Sequence, residues 1–212
     1  MTTLFNSLKE CGCCGNTISV TAVGSTNAFG SPDLDLRPPE MKRSALLMSI
    51  QYCGHCGYAA WDLEESITQT DELKQLLSED LDKNDKSQIF ERAAQIARIN
   101  GSDGMDTFFL YLCAAWCADD KGDTQRAVLM RKKSLEASHW TAVRKPEKLL
   151  RLIDVARRAG EFETACRLLE RFDRCKVSEP LLKQIACFQK QLLDNEDVSC
   201  YTVQEAISGS QS

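Results

Sequence analysis

Two short cysteine runs near the start of the chain carry chemistry that spacing alone makes legible: Cys11-Gly12-Cys13-Cys14-Gly15 and Cys53-Gly54-His55-Cys56-Gly57. Both read C-x-x-C-G, and 38 residues lie between Cys14 and Cys53. Two intervening residues let the backbone turn back so that both sulfurs of a pair aim at one centre. Glycine after the second cysteine tolerates the positive φ that closes such a turn. Two facing knuckles supply four thiolates to a tetrahedral ion, so Cys11, Cys14, Cys53 and Cys56 are the expected ligands of one structural Zn²⁺. Cys13 breaks the symmetry with the second knuckle and is read as a bystander, and His55 is read as solvent-facing.

The string Cys53-Gly54-His55-Cys56 also resembles a disulfide-isomerase active site. That chemistry needs a helix N-terminus, whose dipole lowers the thiol pKa. Gly57 weakens a helix there, and the redox reading leaves the first pair unexplained. Thiol-redox or metal-responsive chemistry therefore stands as the alternative to a structural centre.

A third polar group lies in Ser31-Pro-Asp-Leu-Asp-Leu-Arg-Pro-Pro39. If this segment is extended, Ser31, Asp33, Asp35 and Arg37 share one edge, with Leu34 and Leu36 on the other. Asp33, Asp35 and Arg37 then form either a ligand- or cation-binding edge or a loop in which Arg37 neutralises the aspartates. Elsewhere, Cys113 and Cys117 sit at i, i+4 on an apolar helical face and read as core, as do Cys166, Cys175 and Cys187. His139 has no local partner motif for a catalytic base. The chain shows no G-x-S-x-G, Walker-type loop, dinucleotide fingerprint or H-E-x-x-H, so no catalytic residue is named.

The elements that position these residues change character along the chain. Residues 1–62 are turn-rich, with Thr17–Val23 read as a strand leaving the first knuckle and Ala45–Tyr52 as its antiparallel partner feeding the second. A ribbon of this size buries too little apolar surface to stand alone, which couples its folding to metal. From about residue 64 the apolar period becomes 3.6. Ser87 is read as the cap of a helix through Ala97. Further helices are expected over 105–120, 124–138, 146–159, 161–174 and 179–193. Gly122-Asp-Thr-Gln-Arg-Ala127 and Gly160-Glu-Phe-Glu-Thr-Ala165 share G-[DE]-x-x-x-A, 38 residues apart, as turns of helical hairpins. They resemble a degenerate tetratricopeptide repeat. The expected organisation is α+β: a β zinc ribbon over 1–62, antiparallel helical hairpins over 63–195, and a polar, fraying tail over 196–212.

Composition bounds the function. With 43% hydrophobic residues in 212 the chain can bury a sizeable core. Eleven cysteines, an odd number, without a secretory signal imply a reducing cytoplasm. The longest apolar run, Phe108 to Ala118, is too short for a bilayer. Net charge is −5, and residues 1–62 hold four basic against five acidic side chains before four thiolates are counted. That balance argues against nucleic acid, which needs a basic face.

The two knuckles, Ser31–Arg37, Tyr58-Ala59-Ala60 after the second knuckle, and Leu112–Cys117 followed by Gly122-Asp123 together resemble the bacterial domain of unknown function 2225. That resemblance implies an N-terminal zinc ribbon joined to a tetratricopeptide-like helical region, and it supports zinc at the four cysteines. It implies no activity. The function expected is a non-enzymatic adaptor whose helical region takes a protein or peptide partner.

Overall fold

The computed structural model describes residues 1–102 and 104–208. Strands β1 (Thr3–Glu10) and β2 (Thr17–Ser25) form an antiparallel hairpin, with Glu10 opposite Thr17 and the first knuckle at its turn. Helix α1 (Lys42–Ser49) then leads into β3 (Gln51–Tyr52), which pairs with β4 (Ala59–Ala60) across the second knuckle. Each knuckle thus closes its own hairpin. The expected pairing of Thr17–Val23 with Ala45–Tyr52 is corrected. Ala45, Leu46, Leu47 and Met48 are strong helix formers and take the α conformation, and only Gln51 and Tyr52 remain extended.

The remaining helices are α2 (Asp71–Ser78), α3 (Lys86–Ile99), α4 (Met105–Asp120), α5 (Thr124–Ala137), α6 (Pro146–Arg158), α7 (Phe162–Asp173), α8 (Pro180–Asp194) and α9 (Val203–Ser208). Five of them fall on the expected spans to within a residue or two. Helix α3 opens one residue before the expected cap: the Asp85 carboxylate accepts from Ser87 N at 2.9 Å, and Ser87 is buried, donating to Ala114 O.

The two G-[DE]-x-x-x-A segments share their backbone turn, although only Asp123 also caps the following helix through its side chain. Gly122 and Gly160 take φ of 73° and 72°. Asp123 N and Glu161 N return to Ala118 O and Ala156 O at 3.0 and 2.9 Å. These 6→1 bonds satisfy carbonyls left open at the helix ends. Ala127 and Ala165 then pack fully buried at the start of the second helix of each hairpin.

The main core runs through α3 to α8 around Trp116, Phe108, Leu112, Met130, Leu149 and Ile153. A smaller core joins Cys11 and Cys53 to Val20, Tyr58 and Leu63, and continues into Leu73, Leu76 and Ile96 of α2 and α3. Leu63, at the point where the ribbon was expected to end, lies inside this small core. Among the described residues no helix is long and apolar enough to cross a membrane.

The described part of the tail, 196–208, does not fray as expected, and 209–212 lie outside the described residues. Leu34 N donates to Tyr201 O and Val203 N to Pro32 O, both at 2.9 Å, and α9 buries Ala206. Arg157, wholly buried, donates to Ser199 O at 2.9 Å, to Asp197 O and to Asp154 at 2.6 Å. Backbone bonds fasten the C-terminal segment to the Ser31–Arg37 loop, and the Arg157 guanidinium fastens it to α6.

Candidate metal centre

The two knuckles are equivalent in their backbone bonds. Cys11 N donates to Asn16 O at 2.9 Å, and Cys53 N to Tyr58 O at 2.8 Å. Gly15 N closes onto Cys11 O at 2.7 Å and Gly57 N onto Cys53 O at 2.9 Å. Both glycines sit in the left-handed region, at φ 72° and 79°, as the turn requires. Gly12 is needed for another reason. Its N–H donates to Leu63 O, and a Cβ there would lie 2.2 Å from Glu65 O. The first knuckle is thereby pressed onto the strand of chain that leaves the second.

That contact brings the four expected sulfurs together. Cys11, Cys14, Cys53 and Cys56 lie with all Sγ atoms within 4.8 Å of one another. Across the hairpins the Sγ separations are 3.8 Å for Cys11 and Cys56 and 3.7 Å for Cys14 and Cys53. A tetrahedron with 2.3 Å metal–sulfur bonds has edges of about 3.8 Å, whereas a disulfide needs about 2.05 Å. All four are free thiols in the structure. Cys13 Sγ lies apart, 3.1 Å from Gln69 Nε2, which also donates to Cys13 O at 2.8 Å.

The environment of the sulfurs is uneven. Cys11 and Cys53 are buried, Cys56 half-buried and Cys14 exposed. Burial pushes the Cys11 thiol up against its backbone donors, and burial likewise pushes Cys56 up. At Cys14 the upward effect of burial is outweighed by donors from Asn16, whose Nδ2 lies 3.2 Å from the sulfur, and the pKa falls to about 6. Four sulfurs this close cannot all carry charge unaided. A divalent cation held there would resolve the conflict, and its binding would release protons. The donor set is soft and closed, with four protein ligands, as in sites that hold a metal for structure.

The Cys53–Cys56 pair lies between two short strands and opens no helix, so the dipole that activates redox C-x-x-C pairs does not act on it. Cys113 and Cys117 are buried in the core of α4, as expected, and burial pushes Cys117 up to about 12. Cys166 and Cys187 are exposed and Cys175 is half-exposed, against the expectation of core packing.

Asp33, Asp35 and Arg37 take different partners, and the segment is a turn. Asp33 N donates to Arg37 O at 3.0 Å and Leu36 takes φ 66°, so Leu34 is buried and Leu36 exposed. Asp33 pairs with Arg43 at 3.1 Å. Asp35 accepts from Trp116 Nε1 at 2.7 Å, from Arg158 Nη1 at 3.2 Å and from Arg37 N at 3.1 Å. The Arg37 guanidinium reaches Asp120 at the end of α4. Asp119 beside it binds Arg131 of α5 at 2.5 Å and Arg158 of α6 at 2.8 Å. This buried ionic cluster joins the loop to three helices through residues that spacing did not single out. The available signal was a guanidinium within otherwise apolar helical faces, at Arg131 and Arg158.

Comparison with family models, with curated proteins and with solved structures finds no match to this chain.

Proposed function

We propose that this chain is a cytoplasmic, non-enzymatic protein-interaction module whose N-terminal lobe is clamped by one structural Zn²⁺ and whose helical hairpins carry the partner surface. One observation carries the reading: four sulfurs from two equivalent knuckles lie within 4.8 Å of one another, with two separations across the hairpins at the edge length of a tetrahedral thiolate site. A single ion such as zinc fits better than an iron–sulfur cluster because all four Sγ atoms lie within 4.8 Å of one another, too close together to surround several irons and their bridging sulfides. Free thiolates of this kind persist in a reducing compartment. The resemblance to domain of unknown function 2225 belongs to the same proposal, and so does the tetratricopeptide-like character of the hairpins, which rests on the matched turns at Gly122 and Gly160.

Metal analysis of protein purified without added zinc tests the centre: one zinc per chain is expected, and none in a Cys53→Ser, Cys56→Ser variant. Chemical cross-linking with the full, metal-loaded chain as bait tests the interaction role, and absence of any stoichiometric adduct counts against it. A second reading, metal-responsive thiol chemistry, draws on the exposure of Cys14 beside three more protected ligands. Thiol labelling with and without a chelator separates them. Labelling limited by unfolding in the metal-loaded protein speaks for structure, and fast labelling at Cys14 speaks for a response.

A further inference from the structure

Beyond α5 the chain makes a tight turn at Trp140–Ala142 and runs on through Val143 and Arg144 to α6. Between this segment and the second half of α7 lies a groove of about 610 Å³. Its walls combine two chemistries. Trp140, Val143 and Leu149 give it an apolar floor, and Arg144, Arg167, Arg171 and Arg174 stand around it with Glu170 as the one acidic lining residue.

Two of these arginines, Arg144 and Arg171, are held in place without being neutralised. Arg171 donates to Trp140 O at 2.7 Å and to Val143 O, with its guanidinium 5.9 Å from the Trp140 ring centre. Arg144 donates to Thr141 O at 2.8 Å and Val143 O at 3.0 Å. Arg171 gives Nη1 and Nη2 to backbone carbonyls and Arg144 gives Nη1 alone, and neither has an ion-paired carboxylate among the described residues. Arg167 and Arg174 pair only with Glu163 and Glu170 one turn away, with side chains 60% exposed or more. Exposed pairs of that kind are worth about 0–1 kcal/mol and exchange readily for a better anion. Desolvation, followed by the charges of Arg144 and Arg174, lowers the pKa of Arg171, which marks the same positive excess. A net-positive hollow on a chain of charge −5 stands out against its own background.

We infer that this groove is the docking site for an acidic peptide segment of a partner protein, with carboxylates on the arginine rim and an apolar side chain seated against Trp140, Val143 and Leu149. Charge complementarity selects the occupant. Guanidinium forks suit carboxylates, and the apolar floor gives a peptide side chain a place to bury. Duplex or extended nucleic acid would need a basic face running beyond this single hollow. The inference rests on the interaction-module reading and names the surface and partner chemistry that reading leaves open.

The test uses the full, metal-loaded chain and a fluorescein-labelled peptide in which aspartate and glutamate alternate with leucine and phenylalanine, followed by anisotropy. Expected is saturable binding that weakens with salt and drops by about tenfold or more when the peptide carries asparagine and glutamine instead. The same loss is expected for Arg144→Glu, Arg174→Glu, with most of it restored by Arg144→Lys, Arg174→Lys. Far-UV circular dichroism and zinc content show that these variants keep the fold. Equal binding of the acidic peptide by the charge-reversed protein overturns the inference. So does tighter binding of a single-stranded RNA oligomer than of the peptide, or no binding of the peptide at all. Each of these leaves the interaction-module reading to its own cross-linking test, which uses no designed peptide.

Discussion

Two clusters of charge hold this molecule together, and they are built on opposite plans. The sulfur cage draws its four members from two short, local motifs and gathers negative charge that a metal cation must balance. The ionic cluster around Asp35 draws its members from across the chain and balances itself, with Arg37, Arg131 and Arg158 set against Asp35, Asp119 and Asp120. One joins the two hairpins of the N-terminal lobe, and the other pins the loop of that lobe onto the helices. The difference teaches where each kind of cohesion can be lost. Removing the cation should undo a lobe, whereas removing one carboxylate should weaken a joint.

The largest effect is expected at the cage. Structural zinc sites contribute apparent binding energies of about 10–16 kcal/mol at neutral pH. With Cys53→Ser, Cys56→Ser, or a strong chelator, the β1–β2 and β3–β4 hairpins should become protease-sensitive while α4 to α8 remain protected. The small core around Leu63, Leu73 and Ile96 loses its centre, but the main core around Trp116 does not depend on the sulfurs. Hydrogen exchange read by mass spectrometry checks this. Equal loss of protection in both regions would erase the contrast between clamp and joint.

The next effect is at Asp35. Its carboxylate is wholly buried and accepts from Trp116 Nε1, Arg158 and the Arg37 amide. Asp35→Ala leaves the Trp116 indole N–H without its acceptor and Arg158 with Asp119 as its remaining partner, which costs about 3 kcal/mol, the low end for broken buried pairs. Asp35→Asn keeps the shape and one acceptor and should cost less. Denaturant unfolding followed by tryptophan emission measures both. Zinc content should not change in either variant, because the cage shares no ligand with this cluster.

These two regions also differ in how much of them the sequence discloses. The cage was legible because a C-x-x-C-G knuckle is a local pattern whose physical requirement, two sulfurs and a positive-φ turn, lies within a few residues. The helices from α3 onward were legible for the same reason, through periodicity and the glycines at 122 and 160. The partners of Asp35 sit 81 and 123 residues away, at Trp116 and Arg158, where no spacing rule operates. Strand β1 carries the first knuckle yet alternates weakly, with Leu4, Phe5 and Leu8 all exposed, so the amphipathic signal of a strand is absent. The tail looked polar because its order comes from Arg157 and from backbone bonds to Pro32 and Leu34 rather than from an apolar stripe.

Acid should separate the clusters by a smaller margin. Burial acts upward on Asp119, but the hydrogen bond and charge of Arg131, with Arg158, outweigh it and hold its pKa below 3.8. A depressed carboxylate stabilises the fold fully above its unfolded value of about 3.9, and that contribution fades as pH falls through the folded value. Asp33 runs the other way, since burial and then Asp35 raise its pKa despite Arg43. Its protonation in the folded state offsets part of the acid loss. Asp119→Asn should therefore flatten the acid limb of the stability curve, and Asp33→Asn should steepen it. Both are measured by unfolding across pH 2 to 5, on the order of the window these values set.

The smallest effect, and the sharpest check on which sulfurs belong to the cage, is at Cys13. It sits inside the first knuckle, one bond from Cys14, so a metal search by proximity in sequence would include it. The structure turns its thiol the other way, onto Gln69, whose side-chain amide also holds the Cys13 carbonyl. Serine at this position keeps an acceptor for that amide and removes a thiol that could compete for metal. Cys13→Ser should leave one zinc per chain and shift stability by no more than about 0.5 kcal/mol. Gln69→Ala should loosen the loop after Leu63 slightly without touching the stoichiometry. A Cys13→Ser protein that loses its zinc would mean that the first knuckle binds through a different pair. The equivalence of the two hairpins, on which the tetrahedral reading depends, would then fail.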